Sequence, residues 1–284
     1  MEIGFIGQGF IGQAYANNFI KRGFTVVRYG LQAEYLNNKD KIKDCEITFV
    51  AVPTPTTPAG FDYKILEEVL ALISRGKIVV IKSTILPGTT EKLQNKFPDI
   101  YLLHSPEFLT EKTCQFDADF PKRNIIGTSA KSTPAQAQMV MDVLPRADYN
   151  LICQAAEAEI IKYASNCFLY LKVLFTNTLW DICSARNIDY QIVKEAMIHD
   201  PRIGLSHNDP VHAGGRGAGG HCFVKDFAAY RELYETSLTT KDGLGQAGLN
   251  WLKQAETYNL SLLKKSEKNL DLLKDIYGDR YDLN

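Results

Sequence analysis

The first half of the chain alternates two hydrophobic patterns. Short apolar runs stand at 2–6 (EIGFI), 25–29 (TVVRY), 46–52 (EITFVAV), 77–84 (KIVVIKST), 100–105 (IYLLHS), 124–128 (NIIGT) and 148–153 (DYNLIC). Runs of this length with little polar alternation are the pattern of strands buried on both faces. Stretches of helical period lie between them. FIGQAYANNFIKRG stops at Gly23, DYKILEEVLALISRG runs from a capping Asp62 to Gly76, and further helices are expected near 88–97 and from about Pro134. Repeated strand–helix units predict an α/β fold with a doubly wound, mostly parallel sheet.

The strand pattern ends at residue 153. A long helix is expected from Ala155 to Ala185, another at Tyr190–Ile198, and others from about Val224 and from Leu244 onward. The expected division is therefore a sheet domain over 1–153 and an all-helical domain with a long central helix over 154–284. Ile160, Phe168, Leu171, Phe175 and Leu179 along that helix suit either a dimer seam or core packing, and a homodimer is the expectation.

GQGFIG places Gly7, Gly9 and Gly12 in GxGxxG spacing between the first strand and the first helix. In that context the first glycine allows the tight turn and the second lets the backbone approach a pyrophosphate. The third lets helix and strand pack closely. The helix amino end, with Phe10 and Ile11 in its first turn, offers N–H groups and positive dipole to the phosphates. A Rossmann-like dinucleotide site is the reading. The acid that would hold the ribose hydroxyls at the end of the second strand is missing, because Gly30 stands there after Arg28 and Tyr29. NAD is expected rather than NADP.

A second glycine cluster, GGRGAGGHCFVKD at 214–226, also contains GxGxxG spacing at Gly215, Gly217 and Gly220. No strand precedes it and no Gly-Lys-Ser/Thr follows, so neither a dinucleotide turn nor a Walker loop is expected. Cys222 lies just before the helix expected near Val224, with Lys225 close by, and both features favour a thiolate. His221, His207 and His212 near this cysteine show no regular ligand spacing, so no metal is expected.

Composition narrows the class only slightly. The chain has 284 residues, 45% hydrophobic and 23% charged, with a net charge of −1. That is an ordinary globular balance with no electrostatic case for nucleic acid or an anionic membrane. The six cysteines form no CxxC pair and no secretory leader is recognisable, so a cytoplasmic protein is expected.

Several longer segments carry a resemblance. VAVPTPT (50–56), VIKSTILPGTT (80–90), SPEFLTE (105–111), FPKRNIIG (120–127), AEAEIIKYASNCFLYLKVLFTN (156–177), DPRIG (200–204) and GAGGHCFVKD (217–226) occur in this order. Together with GQGFIG they resemble the UDP-glucose/GDP-mannose dehydrogenase family over most of residues 1–230. The resemblance implies NAD-dependent, four-electron oxidation of the primary alcohol of a nucleotide sugar to a uronic acid. By motif it makes Cys222 the nucleophile that forms a thiohemiacetal and then a thioester. Lys162 and Asn166 match a Lys-x-x-x-Asn pair that stabilises charge on the substrate oxygen. Glu111, Thr84 and Asp226 match groups that position or activate water. Pro53, Thr54, Thr84 and Glu111 are implied at the cofactor, and Phe108, Leu109, Thr110, Arg202 and Gly219 at the substrate. Arg202 resembles an arginine that serves a neighbouring subunit.

The chain departs from the family pattern in places. Thr110 replaces an arginine and Val224 a proline. The family's C-terminal α/β domain, which closes over the nucleotide, is not expected here, because LLKKSEKNLDLLKDIYGDRYDLN reads as helix. Two other readings stay open. One is a two-electron β-hydroxyacid or sugar-acid dehydrogenase, which needs no cysteine. The other is a shortened, non-catalytic relative that binds a nucleotide sugar.

Overall fold

The computed structural model describes residues 1–57, 60–238 and 243–278. It divides into two compact units, Met1–Pro55 with Phe61–Lys162 and Thr56–Gly60 with Tyr163–Asn284.

The first unit is built on a seven-stranded sheet. Its strands are β1 (Glu2–Ile6), β2 (Thr25–Tyr29), β3 (Ile47–Val50), β4 (Ile78–Ile81), β5 (Tyr101–His104), β6 (Arg123–Thr128) and β7 (Tyr149–Gln154). Their order is β2-β1-β3-β4-β5-β6-β7, and every neighbouring pair is parallel except β5 with β6. The helices of this unit are α1 (Phe10–Lys21), α2 (Lys64–Leu70), α3 (Thr89–Lys96), α4 (Cys114–Asp119) and α5 (Pro134–Val143). Two one-turn helices, Ala33–Leu36 and Lys39–Ile42, fill the connection from β2 to β3.

Strand side chains alternate between two cores, as the pleat requires. Ile3, Phe5, Ile47, Phe49, Ile78 and Val80 pack with α1 and α5, and Phe5 stacks on Phe49 at 5.1 Å. Ile6, Val50, Val79, Ile81 and Leu102 pack on the other face with Leu66, Leu70 and Leu93. The expected Rossmann-like doubly wound sheet is therefore what forms. The order in which strands are added reverses between β1 and β3, the place where open sheets of this type bind ligands.

The long helix α6 (Ala155–Ala185) contains the division between the units. The second unit continues with α7 (Tyr190–Ile198), α8 (His221–Ser237), α9 (Gly243–Lys265) and α10 (Leu270–Tyr277). Val224 and Ala228 of α8, Leu260 and Leu263 of α9, and Leu273 and Ile276 of α10 share one core. Tyr170 of α6 stacks on Phe227 of α8 with ring centroids 3.9 Å apart.

Three local expectations need correction. The helix expected over 62–76 is regular only over Lys64–Leu70, although Asp62 does accept the Lys64 N–H at 2.8 Å. The short helix Cys114–Asp119 was not anticipated. Helix α8 begins at His221 rather than near Val224, so Cys222 lies inside its first turn rather than before it. The cause is Gly220, which takes φ +83° and has its N–H held by Asn269 Oδ1 at 2.9 Å.

Candidate functional site

The glycine turn after β1 opens onto a cleft of about 780 Å³. Gly7, Gly9, Phe10, Ile11 and Pro53 line it, with Gly30, Gln32 and Lys39 at the end of β2. Gly12 does not line it. It packs inward, where a Cβ would overlap the Gly7 carbonyl oxygen. Gly7 takes φ +88°, and a Cβ there would overlap the Ala51 carbonyl. Gly9 is different, because a Cβ there meets nothing within 4 Å. The protein's own packing does not require its bare backbone, which faces the open cleft. Gly9 also caps α1 with no side-chain hydrogen bond, and the first turn of α1 carries no acid. The uncompensated N–H groups and the glycine opening fit the pyrophosphate of a dinucleotide.

The other residues expected at the cofactor lie outside the lining of this cleft. The Thr54 hydroxyl donates to the Thr84 carbonyl at 2.7 Å, and Glu111 is exposed at the start of a single 3-10 turn, Glu111–Thr113.

A second group of chemistry-bearing residues follows β4 and β5. Lys162, buried, donates from Nζ to the Glu107 carbonyl and to Glu107 Oε1, both at 2.8 Å. Glu107 is equally buried and accepts the Leu109 N–H at 2.7 Å. Removing one partner of such a pair strands a buried charge, at a cost of about 3–5 kcal/mol. Phe108 lies under the Arg123 guanidinium at 3.6 Å, and Thr110 donates its N–H to Asp117 Oδ2 at 2.9 Å. Leu109 packs on the core.

Lys82 and His104 complete this group. Lys82 Nζ donates to the carbonyl and hydroxyl of Ser105, each at 3.2 Å, and sits 4.2 Å from the centre of the Tyr15 ring. Burial pulls its pKa down to about 7, opposed by the Glu107 carboxylate and reinforced by Lys162. Burial, reinforced by Lys82 and Lys162, pulls His104 down to about 3 and keeps it neutral. Sequence reasoning missed Glu107, Lys82 and His104 as site members. An ionisable residue ending an apolar run, as in KIVVIKS and YLLHS, was the signal present.

In the helical unit, Cys222 is exposed in the first turn of α8. Asp226, one turn later, is buried, with Oδ2 accepting from Asn166 Nδ2 at 2.6 Å and Lys225 Nζ 3.8 Å from Oδ1. Spacing of i,i+4 puts the thiol and the carboxylate on one face of the helix. The glycine loop before Cys222 is gripped by the chain's own C-terminal helices. Lys268, buried, donates from Nζ to the carbonyls of Gly215 (3.3 Å) and Gly217 (3.0 Å). Asn259 brackets Ala218, accepting its N–H at 2.7 Å and donating to its carbonyl at 2.9 Å. A Cβ on Gly215 would lie 2.7 Å from Ser266 Cβ, and one on Gly219 2.7 Å from Lys268 Cε. From the other side, Arg216 donates to Asn177 Oδ1 at 2.8 Å and pairs with Asp181 at 2.8 Å. Arg202 is exposed and paired with Asp200 at 2.6 Å.

The structure thus joins Lys162 to Glu107 in one unit, and Asn166 to Asp226 beside Cys222 in the other. Among the described residues no group of three or more His, Cys, Asp or Glu is placed to hold a metal. No helix among them is long and apolar enough to cross a membrane.

Sequence profiles of the UDP-glucose/GDP-mannose dehydrogenase family match the chain twice: the NAD-binding domain over residues 31–144 and the central domain over residues 156–248. The Bacillus subtilis protein YtcA is 33% identical over 218 residues, covering 70% of this chain and 50% of that protein. The UDP-glucose 6-dehydrogenase AglM of Haloferax volcanii is 29% identical over 280 residues, covering 81% of this chain and 64% of that protein. Among solved structures, a UDP-glucose dehydrogenase from Pyrobaculum islandicum superposes with a TM-score of 0.76 at 27% identity, covering 93% of this chain and 70% of that one. The chain spans between half and two-thirds of the length of these two curated relatives.

Proposed function

The chain belongs to the UDP-glucose/GDP-mannose dehydrogenase family and carries its NAD-binding domain, and we propose that it oxidises the primary alcohol of a nucleotide sugar, UDP-glucose or a close analogue, to the uronic acid. NAD, when bound, supplies the hydride acceptor for each two-electron step. The sheet unit supports this with the Gly9 opening in a cleft at the strand-order reversal.

Cys222 is the covalent group of this reading. Its thiol loses a proton and adds to the aldehyde carbon left by the first oxidation. After the second oxidation the carbon is a thioester, and water breaks the C–S bond to release the acid and return the thiolate. The amino end of α8 favours the negative sulfur at both ends of this cycle. Lys162 and Asn166 donate hydrogen bonds to the substrate oxygen as it gains charge. The family motifs assign the water to Asp226, Glu111 and Thr84, and the sugar nucleotide to Phe108, Leu109, Thr110 and Gly219, with Arg202 serving the substrate of a neighbouring copy. The observation that carries the reading is an exposed thiol in the first turn of a helix, one turn from a buried carboxylate.

The test is electron stoichiometry. Two NADH should form per uronic acid, and Cys222→Ser should release no acid. One NADH per product with an unaffected Cys222→Ser variant would favour the two-electron reading instead.

We also propose a homodimer through α6. Phe168, Phe175 and Ile182 are 68%, 59% and 55% exposed and recur every seven residues. A heptad stripe on a 31-residue helix suits a second copy of itself. Phe175→Glu should convert the dimer to a monomer in sedimentation experiments, and an unchanged sedimentation coefficient would reject this seam.

A further inference from the structure

The end of β2 is where a fold of this kind chooses between NAD and its 2′-phosphorylated form. A carboxylate there binds the ribose hydroxyls and repels a 2′-phosphate, whereas a nearby cation accepts the phosphate. In this chain β2 ends at Tyr29 and the next residue is Gly30. The space of a side chain at that position is taken by neutral amide. A Cβ on Gly30 would lie 2.6 Å from Gln32 Oε1 and 3.0 Å from Gln8 Cγ. Gln32 is held there by donating its Nε2 to the Gln8 carbonyl at 3.0 Å.

The charges around this point are distributed unexpectedly. Arg28 does not line the cleft, because its guanidinium donates to Asn17 Oδ1 at 2.6 Å and to the Tyr35 hydroxyl at 3.3 Å. The cation that does line it is Lys39. Its neighbour Asn38 is tied to the strand end by a 2.9 Å bond from Nδ2 to the Arg28 carbonyl. Glu68 is the carboxylate among the lining residues, and it lies on α2 with Ile65 and Val69, whose apolar surface suits the adenine ring.

We propose that the ribose end of this cleft admits a 2′-phosphate with Lys39 as its counter-ion, so that the chain binds NADP as well as NAD. The inference rests on the dinucleotide reading of the cleft. Without a carboxylate at position 30, the lining residues at the strand end, Tyr29, Gly30, Leu31 and Gln32, carry no negative charge to oppose the phosphate. Gln32 still offers an amide to either form of the ribose.

Fluorescence titration of the full chain with NADH and with NADPH tests this by binding alone. The two Kd values should agree within about tenfold. Lys39→Glu, an exposed substitution, should weaken NADPH by about tenfold or more while changing NADH by less than about threefold. Gly30→Asp, for which the Gln32 amide must swing aside, should shift preference towards NADH in the same direction. NADH binding with a preference above about a hundredfold over NADPH overturns the inference and leaves the dinucleotide reading intact. Equal weakening of both ligands by Lys39→Glu also overturns it. Failure of both ligands to bind the unaltered chain overturns the inference and the dinucleotide reading together.

Discussion

Two stretches of this chain share the spacing GxGxxG, at Gly7–Gly12 and at Gly215–Gly220, and they use it for opposite ends. In the first, the outer glycines press on backbone while Gly9 faces open space. In the second, Gly215 and Gly217 face side chains of the chain itself, as does Gly219 beside them, while Gly220 faces open space at φ +83° and caps the start of α8. One turn leaves room for a ligand. The other is filled by the protein, and its product is a fixed approach to Cys222. Spacing alone therefore does not distinguish a ligand loop from a mount, and what the missing Cβ would touch does.

The most damaging way to probe the first turn is Gly12→Ala. Its Cβ would overlap the Gly7 carbonyl, so the turn between β1 and α1 must open, at a cost of about 4 kcal/mol or more. Denaturant unfolding should show a sheet unit near the limit of stability, with NADH binding abolished.

The sheet that carries the first turn also has an acid weakness, at His104 on the end of β5. His104 is held neutral with a pKa near 3, well below its ordinary 6.5. Between those values the unfolded chain binds a proton that the folded chain refuses, so stability falls as pH drops below 6.5 towards 3. The full effect is about 3–5 kcal/mol. His104→Leu should flatten the dependence of the unfolding midpoint on pH between 7 and 4.5. Equal slopes for the two proteins would rule out His104 as the source.

The second turn is best probed through what fills it. Lys268→Met removes two hydrogen bonds and leaves the carbonyls of Gly215 and Gly217 without that partner, a loss of about 2 kcal/mol. The melting temperature should fall while NADH affinity stays within about twofold. A variant as stable as the unaltered chain would show that the grip of Lys268 on the loop contributes nothing.

Much of this architecture was legible in the sequence because it is local. The strand runs, the GQGFIG turn and the span Ala155–Ala185 follow from period and from helix and turn signals within a few residues. The start of α8 was misplaced because Asn269, which holds the Gly220 N–H, lies 49 residues away. Glu159 escaped notice for the same reason. It binds the N–H groups of Gly88 and Thr90 at the start of α3, 71 and 69 residues distant. The Lys162–Glu107 pair spans 55 residues, so no local pattern around Lys162 reveals that it is buried. The glycines at 214–220 divide in a way that spacing does not show: Ser266, Lys268 and Asn269 lie where Cβ atoms on Gly215 and Gly219 would stand, whereas Gly214 and Gly220 face open space.

The contrast between the two turns is tested most directly by measuring NADH affinity and melting temperature for Gly9→Ala and Gly219→Ala side by side. The predicted result is crossed. Gly9→Ala leaves the melting temperature unchanged and weakens NADH by about tenfold or more, because its methyl enters only the ligand's space. Gly219→Ala lowers the melting temperature and leaves NADH affinity unchanged, because its methyl meets Lys268 and Asn269. A destabilised Gly9→Ala that binds NADH normally, or a fully stable Gly219→Ala, would contradict the account.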